Sequence, residues 1–250
     1  RGGRGATPPT VENDDEGGGR GAGPPRVGVA AGMNRFSWDL RYPSARDFPG
    51  LILWAASTRG PVAPPGRYQV KLTANGVSKT QDFAIVRNAN VPTITDADLV
   101  EQFTLAKAIS DKVTVANEAV LRIRSLKEQI AARTGANADP ALKTAGSALT
   151  DKLSAVEGEI YQYRNRSSQD PLNYPIKLNN KLAALQGTVE SGDAKPTAQA
   201  YAVFKELSGR LDKELARLDA LATLDLARFN TLLTKRKLAP VKDGVPPRNK

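Results

Sequence analysis

VPTITDADLVEQFTLAKAISDKV, residues 91–113, is where the hydrophobic period of this chain changes. Upstream of it, apolar residues alternate at every second position; downstream, they recur every three or four. Alternation describes half-buried strands and the longer period describes helices with one apolar face. The quoted stretch also supplies the boundary signals. Pro92 halts the extended chain, Thr95 or Asp96 can cap a helix, and Asp98 in the first turn complements the helix dipole. The expected fold class is therefore α+β and multidomain: a small antiparallel β-sandwich of Ig or fibronectin-III type feeding an antiparallel bundle of about four long helices.

Helix one is expected to run to about Thr134. Leu99, Ala106, Val113 and Val120 are spaced by seven, and Ile109, Ala116, Ile123 and Ile130 form the matching second row, the seam of a helix packed lengthwise on others. Gly135 stops it, and Asp139-Pro140 is a cap followed by proline at the first helical position. Helix two then carries Leu142, Leu149, Leu153, Val156 and Ile160. Asp170-Pro171 breaks it, and Pro175 opens a shorter helix with Ile176, Leu178, Leu182, Leu185 and Val189. After Gly192 and Pro196 the last helix places Phe204, Leu207, Leu211, Leu215 and Leu218 on one face and continues through Leu232. Short connections imply antiparallel neighbours. The bundle spans 95–236, and 237–250 read as a tail.

Working back from residue 91, Phe36, Trp38, Leu40 and Tyr42 alternate with polar residues, and residues 51–56 form a wholly apolar run; both read as strands. Tyr68, Val70 and Leu72 alternate again before Asn75-Gly76, the favoured two-residue hairpin turn, and Val77, Phe83 and Ile85 mark the return strand. Residues 33–91 thus read as the sandwich, short of at least one strand that would lie upstream of Arg1. Such a sheet would carry an unpaired, aggregation-prone edge. Residues 1–32 are Gly/Arg/Pro-rich, with an acidic run between Glu12 and Glu16, and read as a flexible segment. Its three Arg–Gly pairs give a weak RGG-like, nucleic-acid-binding reading.

Composition excludes several function classes. The chain of 250 residues is 40% hydrophobic and 25% charged, values compatible with a globular protein. It has no cysteine and no histidine, so it offers no thiolate, no zinc–sulfur site and no imidazole base. Cysteine-free composition suits an oxidising compartment. The run at residues 51–56 falls far short of the ~20 apolar residues that span a bilayer. A start at Arg1 without a signal peptide reads as a fragment or processed piece. Net charge is +10, with +5 on either side of residue 95, so the basic excess is spread and a dedicated nucleic-acid site is disfavoured.

Several residues are candidates for chemistry. Trp38, Trp54, Tyr42 and Tyr68 either form the sandwich core or, if exposed, stack on sugars in a glycan-binding module. Asp39 lacks the partner carboxylate that glycoside hydrolysis needs, and it can pair with Arg35 or Arg41. Glu157 and Glu159 are two apart on a helix and do not face each other. Lys235, Arg236 and Lys237 end a helix, where cations complement the dipole. No catalytic, cofactor-binding or metal-ligating residue is identified.

GMNRFSWDLRYP (residues 32–43), GPVAPPGRYQVKLTANG (60–76) and QDPLNYPIKLNNKLAAL (169–185) together resemble the C-terminal region of bacterial sortilin-like (Vps10-like) β-propeller proteins of the Asp-box, or BNR-repeat, class, often labelled glycosyl hydrolases. The resemblance covers about residues 32–235. It implies a large secreted, periplasmic or envelope-associated protein in which this region follows the propeller. No Asp-box of the Ser-x-Asp-x-Gly-x-x-Trp type occurs here, so the propeller, and any hydrolase activity, would lie outside this chain. The implied role is a non-catalytic accessory region, with the upstream propeller as intramolecular partner and another envelope or secreted protein, or a glycan, as further candidates.

Overall fold

The computed structural model describes residues 28–29, 31–135 and 138–247. The RGG-like segment lies outside the described residues, apart from its last few. The chain divides into two units, Arg1–Trp38 and Asp39–Lys250. Among the described residues of the first unit there is no strand; Gly32 turns the chain at φ 106°, and the Asn34 amide donates to its carbonyl.

The second unit is mixed α and β. Strands β1 (Gly66–Ala74) and β2 (Val77–Ile85) form an antiparallel hairpin in the register Tyr68 opposite Phe83, Val70 opposite Gln81 and Leu72 opposite Lys79. Asn75 and Gly76 both take positive φ, 49° and 78°, the geometry a two-residue turn of type I′ requires. Among the described residues four α-helical stretches follow: α1 (Asp96–Arg133), α2 (Pro140–Ile160), α3 (Leu178–Val189), and α4 (Ala198–Ala220), which runs through a π-helical turn into α5 (Leu226–Lys235). Among the described residues, no helix is long and apolar enough to cross a membrane.

The helical pattern read from the sequence is the one that packs. Every residue of both α1 seam rows is buried, as are Leu142, Leu149, Leu153, Val156 and Ile160 of α2. Apart from Leu99, these form one core with Leu182, Leu185, Leu207, Leu211, Leu218, Phe229 and Leu233, and no hairpin residue enters it. Thr95 caps α1 through a capping box: its hydroxyl accepts from Asp98 N–H, and the Asp98 carboxylate accepts from Thr95 N–H. Asp139 caps α2 with Pro140 next. α1 and α2 approach closely at Gly146, where a Cβ would meet the Thr134 side chain at 2.5 Å.

Three expectations are corrected. Residues 36–42 and 51–56 form no strands, and among the described residues the sheet of the second unit has two strands, not the several of a sandwich. Leu40 and Ala55 both adopt left-handed backbone, φ 59° and 47°, which breaks a strand. Arg41 and Val62 make an isolated antiparallel bridge instead. Helix α3 begins at Leu178 and not at Pro175: Lys177 before it is extended, at φ −108° and ψ −173°, and the Pro175 carbonyl accepts from the Gln162 side chain. Residues 238–247, read as a tail, are bonded along α1.

Candidate functional site

Residues 41–62 run as a strap along α1 and α3, and polar side chains of the helices hold its backbone. The Arg46 N–H donates to Thr114 Oγ1 at 3.1 Å, and Asn117 Nδ2 donates to the Arg46 carbonyl at 2.6 Å. Asn179 Nδ2 donates to Asn117 Oδ1 at 3.1 Å, linking α3 to α1. Asn180 grips Trp54 by both backbone groups: its Oδ1 accepts from Trp54 N–H at 2.7 Å, and its Nδ2 donates to the Trp54 carbonyl at 2.9 Å. The Tyr161 hydroxyl donates to the Gly50 carbonyl and accepts from Ile52 N–H. Gln186 Nε2 donates to the Arg59 carbonyl, and Glu190 Oε1 accepts from Val62 N–H at 2.7 Å.

These residues sit where they do for a local reason. Asn117 lies inside the α1 seam between Val113 and Val120, and Asn179 and Asn180 lie in the first turn of α3 beside Leu178 and Leu182. All three asparagines are buried, and a buried amide without partners is costly; the strap backbone supplies partners to Asn117 and Asn180, while Asn179 donates to Asn117 and accepts from the Asn180 N–H. The strap in turn inserts Ala45 and Phe48 into the core and lays Leu51, Leu53 and Ala56 against it. Gly60 is obligatory, because a Cβ there would stand 1.8 Å from the Tyr42 carbonyl oxygen.

Beneath the strap lies a buried carboxylate. Glu157 is 2% exposed and receives Arg124 Nε at 2.9 Å and Lys127 Nζ at 3.0 Å. Arg124 also stacks over the rings of Phe48 and Tyr161, 4.7 and 5.3 Å from their centroids, a cation–π arrangement that adds to the pairing. A shallow pocket of about 350 Å³ opens beside the strap between Arg41, Ser57, Arg59, Gln186 and Glu190. Its Glu190 carboxylate is already engaged by Arg41, Gln186 and the strap backbone, so it has little capacity left for catalysis.

The candidate residues for chemistry are dispersed. Trp38 lies in the first unit and Trp54 on the strap. Tyr42 packs on Phe103 with centroids 4.8 Å apart, and Tyr68 stacks on Phe83 at 5.8 Å. Asp39 accepts from its neighbour Arg41 N–H, a local turn contact. Glu157 is spent on Arg124 and Lys127, whereas Glu159 pairs with Lys177. Arg236 forks onto the Asp139 carboxylate, holding its pKa down at about 2. Among the described residues, no His, Cys, Asp or Glu cluster could hold a metal ion.

Asn117, Asn179, Asn180, Gln186 and Glu190 were not singled out from the sequence. A signal existed: polar amides at seam positions need a partner. The RYP end of the first motif and the 60–76 turn meet here, since Arg41 donates to the Gly60 carbonyl; Arg41 also pairs with Glu190, at the C-terminal end of α3 beyond the third motif. Asp170, in the third motif, accepts from Arg166 and Ser167 N–H, which holds its carboxyl below the usual range and organises the turn before α3. In comparisons with protein-family models, with curated proteins and with solved structures, nothing matches this chain.

Proposed function

We propose that this chain is a non-catalytic accessory region of a secreted or envelope-associated sortilin-like β-propeller protein, and that it packs against the propeller-bearing part of that protein through its hairpin. The observation that carries this reading is the hairpin's two faces. The register puts Tyr68, Val70, Leu72, Val77 and Phe83 on one face, with Lys79 and Gln81 among them, and Arg67, Gln69, Lys71, Thr73, Ser78, Thr80, Asp82 and Ala84 on the other. Val70, Leu72 and Val77 are 54%, 59% and 63% exposed. A two-stranded hairpin is marginal alone and needs further strands or a packed face. A second sheet on the apolar face would complete the sandwich and cover it. The resemblance of the three motifs to the sortilin-like class names the occupant.

The test is a pull-down between this chain and the separately produced propeller-bearing portion, with Val70→Glu/Leu72→Glu as the control. Salt-resistant association that the double substitution abolishes, with bundle stability unchanged to within about 0.5 kcal/mol, supports the reading. Absence of association, or association indifferent to those substitutions, overturns it.

A further inference from the structure

Residues 238–247, LAPVKDGVPP, lie antiparallel to α1 and are held almost entirely by side chains. Arg133 Nε donates to the Ala239 carbonyl at 3.1 Å. Asn230 of α5 accepts from Val241 N–H at 2.8 Å and donates to the Val241 carbonyl at 3.0 Å. Gln129 does the same to Lys242, both bonds at 2.9 Å. Arg122 forks onto the Asp243 carboxylate through Nε and Nη2, each at 2.7 Å, while its Nη1 reaches Asp219 of α4 at 2.6 Å. Arg46 ends the series on the carbonyls of Pro246 and Pro247.

This is the chemistry of peptide recognition. Side-chain amides that bond both the N–H and the C=O of one residue replace a neighbouring strand and are indifferent to the residue's side chain. Selectivity then rests on two points. Val241, 3% exposed, fills an apolar socket in the core, and Asp243 meets the Arg122 fork, the geometry suited to a carboxylate. Prolines 240, 246 and 247 keep the segment extended, so that little conformational freedom is lost on docking.

We propose that the face formed by Arg122, Gln129, Arg133 and Asn230 is a peptide-binding groove for an extended segment with an apolar residue two places before an aspartate, and that residues 238–247 occupy it in cis as an exchangeable ligand. This groove is separate from the hairpin, and the proposal does not rest on the role given to the hairpin above. Tethering gives the cis segment an effective concentration on the order of millimolar, so a competing peptide enters efficiently only when the cis segment is weakened.

The test uses the full chain carrying Val241→Asp and Asp243→Asn, and the fluorescein-labelled peptide LAPVKDGVPP followed by anisotropy. The expected result is saturable binding to this variant, at least about tenfold weaker binding to the unsubstituted chain, and loss of about tenfold or more when Arg122→Ala is added. A folded variant that does not bind the peptide overturns the proposal. Should the variant fail to fold, hydrogen exchange of the unsubstituted chain decides. Val241 and Lys242 amides that exchange faster than the α1 seam support an exchangeable segment; exchange only at the rate of global unfolding overturns it.

Discussion

Asn180, Gln129 and Asn230 each do for one extended residue what a neighbouring strand does in a sheet. Asp139 shows the same economy with charge: one carboxylate caps α2 through Leu142 N–H and pairs with Arg236 beyond the end of α5. Its pKa falls from the ordinary 3.8 to about 2, chiefly through the Arg236 hydrogen bonds. A depressed carboxyl pKa contributes stability that is fully present above the unfolded value and is lost as pH falls through the folded one. The window is therefore about pH 4 to 2. Asp139→Asn keeps a good cap but removes the titration, so the melting temperature of the variant should fall less steeply over that window. Parallel slopes for the two proteins would refute the assignment. Asp139 was legible as a cap because Asp-Pro is a local signal. Its pairing with a residue far along the chain was not, since no local pattern specifies which cation the bundle brings to it.

At the scale of elements, the helices were readable and the straps were not. The α1 seam is a repeated pattern in which each residue reports the same face, so one misplaced residue does not change the reading. Residues 36–42 carry a period of two, but an extended strap alternates faces as well as a strand does. Periodicity says nothing of where the backbone bonds go: here the two ends of the strap bond each other, Tyr42 and Ala45 N–H on the Pro61 and Thr58 carbonyls, and between them side chains of Thr114, Asn117, Tyr161 and Asn180 take the backbone. The end of α5 offers a prediction on its own scale. Lys237 sits at φ 59°, with its N–H on the Thr234 carbonyl and the Leu238 N–H on the Leu233 carbonyl, the left-handed helix stop that glycine suits best. Lys237→Gly relieves that backbone cost and should raise stability by about 0.5–1 kcal/mol in urea denaturation. A destabilised variant would show that the lysine side chain contributes more than its backbone costs.

On the scale of the whole molecule, the second unit is a helical core with two extended segments fastened along α1, and Arg46 joins them by reaching from the strap to Pro246 and Pro247. This makes the strap a separable layer of stability. Its polar bonds lie at the margin of the core, whereas the α1 seam is wholly enclosed, and regions held by partly exposed bonds open locally before the core unfolds. Asn180→Ala removes both bonds to Trp54 and leaves that peptide to partial solvent, at a cost of about 1–2 kcal/mol. The expected pattern is selective: amides at Ala45, Ile52, Trp54 and Val62 should exchange faster, while those of Val113 to Ile123 keep their protection apart from the small change in global stability. Mass-resolved hydrogen exchange reads both regions in one experiment. If strap and seam amides lose protection in step, the strap is part of the core's own cooperative unit, and the asparagine cluster acts as a core element and not as a fastening laid over it.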